Sequence, residues 1–228
     1  MKKTIVYIYV MTNDNGFAPC IDNNWLTLAC CKGGKKGGMR KSAKNDFSAG
    51  HNVYLLGLCG KTLATKAMKS EMEFLPVYLA KIDKYIEMKE YYKIGGLSAG
   101  RKDDVYIYDA DKDEFEPKKC NHHSEDEQKK DKGGKYVLCS HQFTYFGNKC
   151  GKKGCEIKEF IRNASEKKSI RECKSFRGYI VERDFCNFEK AIKNWDWFPK
   201  KPNCCKIISN HSISEKFVGG SRKSVCAK

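Results

Sequence analysis

The sequence predicts an α+β domain, and three observations carry that expectation. Short runs of β-branched and aromatic residues recur along the chain, polar glycine-containing turns separate them, and only two stretches show helical spacing. The first run, residues 4–11, reads as a buried strand because it is almost wholly β-branched or aromatic. It stops at Thr12-Asn13-Asp14-Asn15-Gly16-Phe17-Ala18-Pro19, a polar turn in which a rigid strand end would hold Thr, Asn and Asp side chains in place.

Residues 25–31 form a second apolar run, ended by the basic glycine-rich segment 32–41, which reads as a flexible cationic loop. Residues 53–59 are a third strand closed by Gly60-Lys61, and residues 73–82 a fourth. Residues 86–92 have the spacing of a short helix, and residues 105–108 that of a short strand. From 109 to 135 the chain is charged and nearly free of aliphatic residues, which predicts a loop or mobile insertion carrying His122 and His123. Residues 136–147 read as a core strand running into an aromatic turn. Phe185, Phe188, Ile192 and Trp195 lie on one face of a helix predicted between 184 and 199. These elements predict one domain over residues 1–200 with a charged insertion near 109–135, and a loosely held tail over 201–228.

Composition narrows the partners. Lysine and arginine outnumber acidic residues by 44 to 28, giving a net charge of +16, and this favours polyanions through counterion release and steering. Nucleic acid or a nucleotide is therefore the expected partner, although a lysine-rich surface also arises from compositional bias alone. With 40% hydrophobic residues the chain can build a core despite its 32% charge. No apolar run approaches a membrane span, so no membrane partner is expected. No cationic leader with a long apolar segment precedes the first strand, so the 13 cysteines are expected to be reduced and the protein cytoplasmic.

The motifs carry less chemistry than the composition suggests. The segment 32–41 has backbone N–H groups and cations that can cradle phosphate, but it lacks P-loop spacing. Cys150 and Cys155, with Cys204-Cys205 or Cys120 and His122, have the residue types of a zinc knuckle, yet no second C-x-x-C appears and no metal site is assigned. Ser140 and His141 are adjacent and so fall on opposite sides of a strand, unsuited to act as nucleophile and base. The aromatic segment 143–147, followed by Lys149, Lys152 and Lys153, combines stacking surfaces with cations, which is nucleotide-binding chemistry.

The order of blocks carries a resemblance. Tyr9-Val10-Met11-Thr12-Asn13-Asp14-Asn15-Gly16-Phe17-Ala18-Pro19, Leu26-Thr27-Leu28-Ala29-Cys30-Cys31-Lys32, Arg40-Lys41-Ser42-Ala43-Lys44 and Gly57-Leu58-Cys59-Gly60-Lys61 resemble the nucleotide modification associated domain family, second type. The likeness continues at Tyr78-Leu79-Ala80-Lys81-Ile82, Tyr91-Tyr92, Asp104-Val105-Tyr106, Asn121-His122-His123 and Tyr136-Val137-Leu138-Cys139-Ser140. It runs on through Phe143 and Tyr145-Phe146-Gly147, and weakens near 176–179. The resemblance implies an α+β domain of a bacterial cell or bacteriophage, linked to DNA base modification. Relatives follow the Arg-Lys-Ser-Ala-Lys block with a turn and strand also used by PUA/ASCH-like modules that read modified bases. The expected architecture is thus a mixed, mainly antiparallel sheet or a partly open small β-barrel, with a few packed helices. Residues 45–52 depart from that turn by being longer.

Two readings follow. In the first, a base-modification protein uses Asp14 as general base or ligand holder and His122 or His123 as acid. In the second, a non-catalytic module binds nucleic acid or a modified base. In both, Thr12, Asn13, Phe17 and Tyr145 face the base, while Lys32, Arg40, Lys61 and Arg101 serve the phosphates or the strand-end rim. The cofactor is left open.

Overall fold

The structure, a computed structural model, describes residues 1–22, 24–34, 37–67, 73, 75–119, 121, 123–147, 180–183, 188 and 192. Strand β1 (Thr4–Met11) runs parallel to β4 (Asn52–Cys59), and the two form the centre of a five-stranded sheet in the order β10-β5-β4-β1-β11. The remaining members are β5 (Pro76–Lys81), β10 (Gln142–Tyr145) and β11 (Ile180–Arg183), and each pairs antiparallel with its neighbour. The parallel pair needs a crossover, which helix α1 (Gly38–Ser48) supplies by packing Met39 and Ala43 onto the sheet.

A second sheet, in the order β2-β3-β9-β6, is wholly antiparallel and comprises β2 (Cys20–Asp22), β3 (Trp25–Leu28), β9 (Tyr136–Ser140) and β6 (Lys84–Glu87). Neither sheet closes, so among the described strands the open mixed-sheet form of the expected fold is adopted rather than the barrel. Alternation along each strand divides the core. Ile5, Tyr7, Tyr9 and Met11 of β1 join Leu26, Leu28 and Leu138 of the second sheet in one apolar cluster. Val137 and Cys139 face the opposite way and pack on Met88, Tyr91 and Tyr92 of α3 (Met88–Tyr92) and on Tyr106 of β7 (Tyr106–Asp109). Strand β8 (Glu114–Pro117) pairs only with β7. Helix α2 (Lys61–Lys66) follows β4 directly.

Three stretches differ from expectation. Residues 136–147 form two strands, because β10 continues the aromatic segment as a pairing partner of β5. Segment 109–135 is built rather than loose, and holds β8 and helix α4 (Glu125–Gly133). Ser124 caps α4 with a full capping box to Glu127, and acidic residues fill its first turn with lysines in its last. Residues 38–41 of the basic segment, and 45–48 of the supposed turn, belong to α1. Phe188, in the predicted C-terminal helix, is helical and buried with its ring 5.1 Å from that of Tyr54. The predicted tail lies outside the described residues. No described helix is long and apolar enough to cross a membrane.

Candidate functional site at the strand ends

Strand register brings three tyrosines to one row. Tyr9 pairs with Gly57, Gly57 with Tyr78, and Tyr78 with Tyr145, so the row crosses four strands and its side chains share one face. Glycine at 57 is required: a Cβ there would lie 2.4 Å from the Tyr78 ring. With that space free, the Tyr9 and Tyr78 hydroxyls meet in a short hydrogen bond. Both phenols are buried, and desolvation holds their pKa values above the ordinary one.

Asp14, three residues beyond β1, turns inward over this row. Its Oδ2 accepts a short hydrogen bond from the Tyr145 hydroxyl, while Oδ1 is buried with no partner. The residue is only 3% exposed, and burial raises its carboxyl pKa against the opposing effects of Tyr145 and Lys102. An unsatisfied buried carboxylate oxygen costs free energy and needs an explanation beyond packing. Lys32 closes the same region, its Nζ 4.5 Å from the Tyr9 ring centroid and its pKa lowered by burial.

The segment after β3 supplies a second set of groups. Cys31 and Lys32 both have left-handed backbone, with φ of 59° and 49°, a conformation that costs energy in non-glycine residues. Bonds from helix α4 hold them there. The Cys31 N–H donates to Asp131 Oδ1 at 2.6 Å, and the Gly34 N–H donates to the Lys130 carbonyl at 2.8 Å. A Cβ at Gly33 would lie 1.8 Å from that carbonyl oxygen, so the glycines of the basic segment serve close approach to α4. Asp131 Oδ2 is 2.7 Å from His123 Nδ1 and accepts from the Tyr106 hydroxyl at 3.0 Å. Asp131 first, then Cys31, raise the His123 pKa to about 10, so the ring is protonated at neutral pH. Phe17 packs edge-on against that ring at 5.3 Å.

The sequence-predicted residues separate into two groups. Asp14, Tyr145 and Lys32 gather around Tyr9, and Phe17 packs on His123 beside Cys31. Thr12 is exposed at the end of β1, and Asn13 is also exposed and accepts from Lys66 Nζ at 2.7 Å. Lys61 is exposed at the start of α2. Arg40 is corrected from phosphate ligand to structural residue: it is fully buried and donates to the carbonyls of Ala29, Tyr136 and Asp131. Its guanidinium lies flat against Gly134, where a Cβ would come within 2.2 Å. Arg101 is likewise engaged inside the protein, with Asp103, Tyr91 and Thr27. His122 lies outside the described residues. No three described His, Cys, Asp or Glu side chains converge as metal ligands.

The comparison with protein families agrees with the order of blocks. The family model of nucleotide modification associated domain 2 matches residues 3–195, most of the chain. The chain belongs to that family. No curated protein and no solved structure matches it.

Within this member of nucleotide modification associated domain 2, sequence reasoning missed Cys31, Asp131, Tyr9, Tyr78 and Lys102. Cys31-Lys32-Gly33-Gly34 offered a signal, since an apolar run ending in cysteine before paired glycines marks a sharp, crowded turn. Asp131 offered none, because it sits in a run of like-looking charged residues.

Proposed function

We propose that this chain modifies a nucleotide or a DNA base held at the strand-end edge, rather than only binding it. Asp14 carries the reading: a carboxyl group 3% exposed, with one oxygen on Tyr145 and the other unpartnered, is arranged for a ligand rather than for stability. Burial raises its pKa and so eases proton exchange between the carboxyl group and a base edge. Phe17 offers a ring to stack on, and Lys32, over Tyr9, offers a cation for a phosphate. His123, protonated at neutral pH, stands as the second acid. The family's association with nucleotide modification supports the substrate class.

The test compares the wild-type chain with Asp14→Asn and Lys32→Ala, using nucleoside mass spectrometry of DNA from expressing cells and binding to labelled oligonucleotides and nucleotides. Asp14→Asn is expected to keep binding within about threefold while the modified nucleoside falls by about 100-fold, the size of a lost acid–base group. Lys32→Ala weakens binding, more so at low salt. If neither substitution changes product or binding, the reading is wrong.

A further inference from the structure

We infer that the strand-end site reads its substrate by the base-pairing edge of an unpaired nucleobase. Asp14 Oδ1 accepts an N–H of that edge, and a hydroxyl of the Tyr9–Tyr78 pair donates to the atom beside it. This deepens the nucleotide-modification reading and rests on it for the substrate class.

The pattern follows from counting protons. Tyr9 and Tyr78 carry one hydroxyl proton each and share a single hydrogen bond, so whichever of them donates, the other keeps a proton that no group takes among the described residues. Tyr145 directs its own proton to Asp14 Oδ2, which leaves the carboxylate with Oδ1 buried and nothing to accept. One donor and one acceptor are therefore left over. Asp14 is 3% exposed, Tyr9 1% and Tyr78 0%, so neither surplus group is open to bulk solvent, and each is costly to leave unmet.

The two groups belong to one place. Tyr78 and Tyr145 are register partners and stand side by side on the sheet, one hydroxyl reaching Tyr9 and the other Asp14. They nevertheless do not satisfy each other, because Oδ1 takes no bond from any of the three tyrosines. A ligand that meets both must donate from one atom and accept at its neighbour. An amide or amidine edge does this, and every nucleobase carries one as an N–H beside a carbonyl oxygen or a ring nitrogen. In a duplex that edge is occupied by the partner base, so the base is read unpaired, as a free nucleotide, in a single strand or flipped out. Asp14 lies in the segment 12–19, which forms no helix or strand, between exposed Asn13 and Asn15, so the site is one residue beneath the surface.

The experiment is calorimetric titration of the full chain with each of the four 2′-deoxynucleoside 5′-monophosphates, with the same monophosphate methylated at every N–H of its base-pairing edge, and with deoxyribose 5-phosphate. At least one monophosphate is expected to bind at least about tenfold tighter than both its methylated analogue and the sugar phosphate, because those two leave the buried groups unpaired. This comparison uses the wild-type chain and so is independent of any effect of substitution on folding. Asp14→Leu, and Tyr9→Phe combined with Tyr78→Phe, are each expected to weaken that monophosphate at least about tenfold, with circular dichroism confirming the fold. Asp14→Asn is the conservative control: its amide can turn the oxygen to the ligand and the N–H to the Tyr145 oxygen, so it retains binding.

Equal binding of the methylated analogue shows that the two groups are met by solvent alone, and overturns the inference. Equal binding of the sugar phosphate, no binding of any monophosphate, or unchanged affinity in both folded variants overturns it as well. Edge-selective binding by a chain that makes no modified nucleoside upholds this recognition while the modification reading fails. A modified nucleoside made by a chain indifferent to edge methylation does the reverse.

Discussion

Two buried polar clusters lie along β3 and use similar residues to opposite ends. In the first, Arg101 donates to Tyr91, Asp103 and Thr27, with the Thr27 hydroxyl donating to Asp103 at 2.6 Å and the Tyr91 hydroxyl 2.9 Å from the same carboxylate oxygen. Carbonyls of Asp22 and Trp25 each accept from a terminal guanidinium nitrogen, and the Arg101 charge is matched by Asp103 inside the protein. In the second, at the end of β3, Asp14 keeps an unpartnered oxygen, Cys31 and Lys32 hold left-handed backbone, and His123 is 20% exposed at its side chain. The contrast teaches where to look for chemistry. Saturated polar clusters fix a fold, whereas clusters with an orphaned oxygen, strain and partial exposure retain capacity for a ligand.

The largest expected effect tests the first cluster. Asp103→Ala strands the Arg101 charge in a site where its side chain is 5% exposed, and should cost about 3–5 kcal/mol of stability by urea denaturation. The double replacement Arg101→Met with Asp103→Leu removes both charges and should recover most of that loss. If Asp103→Ala proves stable and instead changes nucleotide binding, the cluster is not purely structural and the contrast collapses.

The same contrast explains what the sequence disclosed. The strands of the central sheet were legible because runs such as residues 4–11 and 53–59 are apolar over their length, as strands buried on both faces must be. Asp14 and Lys32 were legible as polar residues that follow apolar runs, and Tyr145 as part of an aromatic segment. Arg40 and Arg101 were misassigned, since charge in a sequence does not reveal whether a guanidinium faces water or a ring of carbonyls. Helix α4 was hidden for a related reason: it docks through Asp131 and backbone carbonyls rather than through an apolar stripe, so no periodicity announces it. The Tyr9–Gly57–Tyr78–Tyr145 row depends on register between strands far apart in the chain, which no local pattern contains.

The next prediction sharpens the second cluster through pH. His123 has a folded pKa of about 10 against an ordinary 6.5, so its pairing with Asp131 and Cys31 stabilises the protein fully below about pH 6.5 and is lost as pH rises through 10. The difference in stability between the wild-type chain and His123→Ala should be on the order of 3 kcal/mol at pH 6 and shrink steadily toward pH 10.5. Taking the difference between the two proteins cancels the tyrosines and lysines that also titrate at high pH. A difference that stays flat across this range would show that His123 contributes packing on Phe17 rather than charge.

The smallest effect has the most unusual sign. Because burial raises the Asp14 pKa above its ordinary 3.8, the folded state favours the protonated acid more than the unfolded chain does. Stability contributed by that group is present below pH 3.8 and declines as pH rises through the folded value, leaving Asp14 as a net cost at neutral pH. Asp14→Asn removes the ionisation but keeps an oxygen to accept the Tyr145 hydroxyl, so at pH 7 it should raise stability by about 1 kcal/mol, or Tm by about 2–4 °C. A residue whose removal stabilises the protein while reducing its product has been kept for function. Were Asp14→Asn instead to lower Tm, Asp14 would belong with Asp103, and the orphaned oxygen would mark a structural carboxylate.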